Sequence, residues 1–147
     1  MVVTAMNNAL YRDFLASGDT LRTYDGRKLL FSSAKERLAP LMEYIASGTG
    51  GDSPVTIYDK VMGNAAALLS VRANAREVFS PLGSELAVKT LSGFGVVYHI
   101  DTTVPFILRP DGVRMCPMEE LSIGKSPDEL YAVLKARKEK AGTGDSC

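Results

Sequence analysis

The chain has 147 residues, 46% hydrophobic and 23% charged, which fits one soluble globular domain large enough to bury a core. Its 17 basic and 17 acidic residues balance, and no basic stripe stands out, so no nucleic acid partner is expected. The longest apolar run, AAALL at 65–69, is far too short to cross a membrane, and the N-terminus lacks the order of a signal peptide. A cytoplasmic protein without a membrane partner is expected, and Cys116 and Cys147 are expected to be thiols.

The first half of the chain predicts a helix, a hairpin and a second helix. Apolar residues recur at helical spacing over residues 5–16. Asp25 and Gly26 then separate two short β-rich runs, and this dipeptide is typical of a tight hairpin turn. Residues 35–46 carry a second helical stripe, with Pro40 either in its first turn or at a kink.

The second half alternates strands with helices. Strands are predicted over residues 54–59, 76–80 and 96–101, and helices over 60–72 and 84–95. Short links between these elements favour adjacent parallel strands crossed by helices.

The last third predicts a turn and two further helices. Residues 104–115 suggest a strand, a turn and a short return, and one helix starts at Cys116. Another covers residues 126–140, with Ser126 as its cap and Pro127 in its first position. The whole order predicts an α/β fold, a three-layer α/β/α sandwich with a mixed sheet of about five strands. We expect a single domain over residues 1–140 and a flexible tail over 141–147.

Three segments carry a resemblance to a known family. YDKVMGNAAALL at 58–69, VPFILRPDG at 104–112 and CPMEE at 116–120 together resemble domain-of-unknown-function family 1893, a mainly prokaryotic family assigned to the cytidine deaminase-like fold. The similarity extends over roughly residues 5–136. The resemblance implies a β-hairpin followed by two helices whose N-termini face the active site. It also implies an oligomer, and we expect a homodimer.

The resemblance raises the question of a zinc site. In zinc deaminases, the two helices at the active site begin with HxE and PCxxC motifs, which supply the metal ligands and a catalytic Glu. By this resemblance, Asp59 occupies the position of the first metal ligand and Val61 that of the catalytic Glu. Ser84 and Ala87 occupy the positions of the two cysteines. The soft ligands of the whole chain are three: His99, Cys116 and Cys147. Because catalytic zinc normally takes three protein ligands with a supporting shell, we expect no metal, no cofactor and no zinc-dependent deamination.

Asp59 and Lys60 lie where the helix over 60–72 is predicted to begin. Asp59 suits the N-cap, whereas Lys60 opposes the positive end of the helix dipole. One interpretation is a cap followed by a solvated amine. The other is a pocket in which Lys60 binds an anionic, nucleotide-like ligand or acts as an acid or Schiff-base group. Gly63 lowers helix propensity, which a close approach of backbone or ligand would explain.

Cys116, Pro117 and Glu119 form a pattern typical of a helix start, with Glu119 at the capping-box position. Alternatively, the helix N-terminus stabilises a Cys116 thiolate that acts as a nucleophile. Glu119 then acts as a base or pairs with Lys60.

Polar residues elsewhere have a structural and a functional interpretation. Ser84 suits the cap of the second site helix or a ligand contact. Arg109 and Arg114 flank a turn, where they are either exposed or receive a phosphate or carboxylate. His99, alone in a β-rich run, is predicted to be a hydrogen-bonded structural residue.

We therefore predict a metal-free domain with a small-molecule pocket at the helix openings. The candidate ligand-binding residues are Asp59, Lys60, Ser84 and Arg114, and the candidate catalytic residues are Lys60, Cys116 and Glu119. Two functions are open at this stage, ligand binding and non-zinc catalysis. The alternative is a structural or regulatory protein-interaction domain without catalytic activity.

Overall fold

The computed structural model describes the backbone of residues 2–141 and the side chains of residues 7–137. Within these residues the elements follow the order α1 (Val2–Ala16), β1 (Leu21–Asp25), β2 (Lys28–Ser33), α2 (Ala39–Ser47), β3 (Val55–Asp59), α3 (Asn64–Arg72), β4 (Ala75–Ser84), α4 (Glu85–Gly93), β5 (Val97–Val104), α5 (Pro117–Ser122) and α6 (Pro127–Ala141).

The strands form one five-stranded sheet in the order β2-β1-β3-β4-β5. Strand β1 pairs antiparallel with β2 and with β3, whereas β3 with β4 and β4 with β5 are parallel. Helices α3 and α4 supply the two crossovers that parallel neighbours require. The predicted α/β fold with a mixed sheet of five strands is confirmed.

The structure contains the predicted hairpin turn at Gly26 and the predicted helix cap at Ser126. Gly26 has a φ of 58° in the β1–β2 hairpin, the conformation for which glycine suits that turn. Pro40 lies in the first turn of α2, and Arg37, at φ 63°, stops that helix from starting at residue 35. Ser126 caps α6 by accepting the N–H of Glu129 at 3.1 Å.

Helix α3 begins four residues later than predicted, at Asn64 instead of Lys60. The chain first continues in an extended form beside β4, where the Met62 N–H donates to the Leu82 carbonyl at 2.8 Å. Asp59 is therefore the last residue of β3, and Gly63 occupies the N-cap of α3. The prediction that Asp59 caps this helix is wrong, because pairing with β4 delays the helix.

Strands β4 and β5 continue past their predicted ends, since they pair as far as Ser84 and Val104. The following segment has the predicted turn, closed by the Arg109 N–H donating to the Arg114 carbonyl at 2.7 Å. The predicted strand and return are limited to one bridge between Leu108 and Met115.

Two buried clusters lie on opposite faces of the sheet. Ile57 joins the larger cluster with α3, whereas the next residue, Tyr58, joins a smaller cluster with Phe14 of α1. Successive strand side chains point to opposite faces, so α1 covers one face and α3 the other. Helices α2, α4, α5 and α6 contact α3, which explains why a helix of small and apolar residues is buried all round.

The predicted tail over 141–147 starts at the last residue of α6, and residues 142–147, including Cys147, lie outside the described residues. In the part of the chain that the structure describes, every helix is too short or too polar to cross a membrane.

Candidate functional site

A cavity of about 960 Å³ lies at the carboxyl ends of the parallel strands, where Asp59, Leu82 and Val104 border it. Open α/β sheets place their ligands at this edge. The wall is mostly apolar and includes residues from α3, α5 and the loops: Val61, Ala65, Ala66, Phe106, Ile107 and Met118. We call residues 104–108, which cross the cavity after β5, the strap.

Glu119 is the polar centre of this region and is 2% exposed. Its Oε1 accepts the N–H of Asn64 at 2.5 Å and the hydroxyl of Ser84 at 3.2 Å. Its Oε2 accepts the N–H of Ile107 at 2.5 Å. One carboxylate thus joins the first residue of α3, the cap of α4 and the strap. Several donors and a helix N-terminus are what a buried carboxylate needs to offset lost hydration.

The Glu119 carboxylate explains why a glycine occupies position 63. Gly63 occupies the N-cap of α3 with ordinary extended torsions, φ −78° and ψ 176°, and has no side chain to cap the helix. A Cβ at this position would lie 3.1 Å from Ile107 Cγ1 and 3.4 Å from Glu119 Oε1. The close approach expected at Gly63 is therefore to two side chains, and Glu119 supplies the missing cap.

Asn64, which is not among the predicted site residues, extends the polar network. It is buried, its Nδ2 donates to Ser122 Oγ at 2.9 Å, and its Oδ1 accepts from the Thr90 hydroxyl. These bonds connect α3 with α5 and α4. The signal that pointed to it was a lone Asn directly after Gly63, ahead of an otherwise small and apolar helix.

Asp59 is the acidic group that faces the cavity from β3, and it is 9% exposed. Burial raises its pKa to about 7, and the backbone amides of Val61 and Lys60 partly oppose that shift. The Val61 N–H is 3.4 Å from Oδ1, which is a long hydrogen bond. No cation among the described side chains forms an ion pair with Asp59.

Lys60 borders the cavity, but its ammonium contacts the C-terminal end of α1. Nζ donates to the Ser17 carbonyl at 3.2 Å and lies 4.7 Å from the centre of the Phe14 ring. The conflict with the α3 dipole does not arise, because Lys60 precedes the helix by four residues. Lys60 and Glu119 border the same cavity without forming an ion pair among the described side chains.

Cys116 is buried at the N-cap of α5 and also borders the cavity. The structure has it in disulfide form, with no free cysteine among residues 7–137, so the expectation of a thiol at this position is not met. Its N–H donates to the Ile107 carbonyl at 2.8 Å. The Glu119 side chain therefore serves α3 and the strap instead of a capping box on α5.

The other candidate residues lie away from the cavity wall. Ser84 is buried as the N-cap of α4 and accepts the Ala87 N–H at 3.1 Å, as its structural interpretation predicts. Arg114 is exposed in the turn after the strap. His99 Nε2 lies 2.6 Å from Glu77 Oε2, and its ring stacks on Phe79 at the α1 face of the sheet. No group of three or more metal-ligating side chains occurs within the described part of the chain.

These features define the class: an α/β protein with one mixed five-stranded sheet and an apolar cavity at the carboxyl end of its parallel strands. The chain belongs to the DUF1893 family, because the family described as "Domain of unknown function (DUF1893)" matches residues 11–137. A DUF1893 family protein from Thermotoga maritima has a similar crystal structure, with a TM-score of 0.80 and 25% sequence identity over 90% of each chain. No curated protein matches the chain. The predicted family membership is confirmed.

Proposed function

We propose that this protein binds a small molecule in the cavity at the openings of α3 and α4, on a cytidine deaminase-like, three-layer α/β/α scaffold. The observation that carries the proposal is the cavity itself. Its volume of about 960 Å³ lies at the upper end of the range typical of small-molecule sites. Its mostly apolar wall with a few polar groups, Asp59 foremost, is also typical of such sites.

Three features support the scaffold. The β1–β2 hairpin precedes both helices, and helices cover both faces of the sheet. The N-terminal ends of α3 and α4 meet at one atom, Glu119 Oε1, through Asn64 and Ser84. In this interpretation, a protein carboxylate joins the two helix openings that hold the metal in zinc deaminases.

Binding is favoured over turnover by the state of the candidate catalytic groups. Glu119 already accepts three hydrogen bonds, and Lys60 is engaged with Ser17. Cys116 is in disulfide form. A general base or nucleophile must reach its substrate with a lone pair that is not already committed, whereas binding requires only the cavity and Asp59.

A ligand screen tests the proposal. Nucleosides, nucleotides, small amines and small carboxylates are added to the protein, and thermal stabilisation is confirmed by calorimetric titration. Val61 is 44% exposed at the cavity, so Val61→Trp should fill the opening and abolish the stabilisation. Val113, 80% exposed and away from the cavity wall, gives the matched control Val113→Trp, which should leave the stabilisation intact. Equal ligand effects in both variants, or no stabiliser at all, would contradict the proposal.

A homodimer is the second candidate, and it is favoured by strand β5. This strand forms one edge of the sheet, and Val97 and Tyr98 are exposed on it. An unpaired strand edge is a template for pairing with a second chain. Light scattering should then give a dimer mass that Tyr98→Lys reduces to the monomer. Leu29→Lys, at an exposed residue of the opposite edge strand, should leave the mass unchanged. A monomeric wild-type protein would exclude this assembly.

A further inference from the structure

We infer that the cavity selects ligands with a cationic or hydrogen-bond-donating nitrogen on an apolar body, and that the Asp59 carboxyl group recognises this nitrogen. This inference rests on the proposed function, namely that the cavity binds a small molecule. It departs from the expectation of an anionic, nucleotide-like ligand.

A carboxylate of the protein already lies at the helix N-terminus where such a site would usually bind an anion. Backbone N–H groups at a helix N-terminus attract phosphates and carboxylates. Here the N–H of Asn64, the first residue of α3, is bonded to Glu119 at 2.5 Å. A ligand anion placed beside it would meet a buried like charge with little solvent screening, and this arrangement is unfavourable.

Lys60, a cation of the cavity wall that could attract an anion, is also engaged. The ammonium of Lys60 donates to the Ser17 carbonyl and lies over the Phe14 ring. At the side of the cavity formed by the segment before α2, the exposed residues Glu36 and Arg37 carry opposite charges. Their charges offset each other at the opening.

Among the buried polar side chains of the cavity wall, Asp59 has the most spare hydrogen-bonding capacity. A carboxyl group offers about four acceptor sites. The side-chain hydrogen bond resolved at Asp59 is the long one from Val61, at 3.4 Å. A ligand N–H group would supply the missing donor, and a positive charge on it would offset the burial of the carboxylate.

The apolar body follows from the opening of the cavity. Val61, Phe106 and Leu108 are 44%, 42% and 44% exposed, and all three border the cavity. An aromatic or branched aliphatic group placed against them would bury this surface at about 25 cal/mol per Å². An apolar group of this kind joined to an amine therefore matches the apolar wall and the buried Asp59 carboxyl group.

The ionisation of Asp59 predicts a pH dependence for amine binding. The charged groups that share the cavity with it are Lys60, Glu119, Glu36 and Arg37. Burial raises the pKa of Asp59 to about 7, so the carboxyl group is ionised above that pH and neutral below it. A cationic amine should bind more tightly at a pH of about 8 than at about 6, because only the carboxylate form adds charge attraction.

Three probes that share a phenyl ring and differ in their polar group test the inference on the full chain: phenethylamine, phenethyl alcohol and phenylacetate. NMR titration measures their binding. At a pH of about 8, the amine should bind about tenfold or more tightly than phenylacetate, as one charge-assisted hydrogen bond allows. Asp59→Asn should remove most of this preference and change the affinity for the uncharged alcohol much less. Asp52→Asn, at an exposed loop residue outside the cavity wall, is the matched control and should bind as wild type does.

The outcomes separate this inference from the proposed function. Equal or tighter binding of phenylacetate, or an amine preference that survives Asp59→Asn, would overturn the nitrogen selectivity while the cavity remains a binding site. Binding of the uncharged alcohol reports on the cavity without charge attraction. If no probe shifts the resonances of Val61 or Ile107, the small-molecule cavity and the selectivity fail together.

Discussion

The backbone N–H of Asn64 donates to Glu119 Oε1 across 2.5 Å, so a side chain 55 residues farther along the chain caps helix α3. The N-cap itself, Gly63, has no side chain for this task. Glu119 lies on α5, a helix of six residues. The cap of the central helix and the position of a short peripheral helix therefore depend on the same carboxylate.

Glu119→Gln should lower the free energy of unfolding by about 2–4 kcal/mol, because a buried acceptor of three hydrogen bonds loses its charge. In addition, the side-chain NH₂ group of glutamine would face at least one of the groups that donate to Glu119. Urea denaturation followed by circular dichroism measures the change. Glu120→Gln, at the adjacent exposed position, should cost less than about 0.5 kcal/mol. Similar losses in the two variants would refute the capping role of Glu119.

Gly63→Ala should destabilise the protein by about 1–3 kcal/mol, because its Cβ would press on Ile107 and Glu119 at 3.1 and 3.4 Å. The backbone torsions of Gly63 suit alanine, so the cost is steric. Gly93→Ala is the control, since nothing lies within 4 Å of its Cβ position at the end of α4. That variant should be neutral or more stable by about 0.5 kcal/mol. Thermal unfolding of both variants under one condition gives the comparison, and an unchanged Gly63→Ala protein would argue against the close approach.

The contribution of Asp59 to the stability of the protein should fall as the pH rises toward the pKa of this group in the folded state. This pKa is about 7 in the folded state against 3.8 ordinarily, so the folded protein holds the proton more tightly. The contribution to stability is fully present below the unfolded pKa and is lost as the pH rises to the folded pKa. Asp59→Asn removes this dependence.

The measurement is the difference in unfolding free energy between Asp59→Asn and wild type, taken by urea denaturation. The free energy of unfolding of the variant, relative to that of wild type, should rise by about 2–3 kcal/mol between a pH of about 5 and a pH of about 8. Other titrating groups cancel in this difference. A constant difference across that range would show that Asp59 titrates normally.

Lys60→Met should lower the free energy of unfolding by about 1–2 kcal/mol, since it removes a charged hydrogen bond to Ser17 and the contact with Phe14. Methionine keeps the apolar stem, which isolates the effect of the charge. Hydrogen exchange should show faster opening at residues 10–16 of α1. Lys89→Met, at an exposed position of α4, should change neither quantity.

Much of the fold was predicted because its signals are local. A turn at Gly26, a cap at Ser126 and the alternation of strands and helices each depend on residues within a few positions. Helix α3 starts later than its local pattern predicts because Met62 pairs with β4, and no local pattern indicates a contact with Leu82.

The candidate site was predicted less completely. Of the candidate residues, Asp59, Lys60, Cys116 and Glu119 border one cavity. Ser84 and Arg114 lie outside its wall, and the strap that completes it follows β5. The ammonium of Lys60 is directed to Ser17 by a contact across 43 residues.

The sequence by itself determined the order of the elements, the mixed α/β class and the family, because hydrophobic periodicity, turn residues and short motifs are properties of neighbouring residues. Only the tertiary structure decided which charges are satisfied within the protein and which one borders the cavity with few partners. Glu119 is occupied by donors from three distant segments, whereas Asp59 is buried beside a cavity with one long hydrogen bond. The two carboxylates differ through burial and long-range contacts, which the sequence around each residue does not encode.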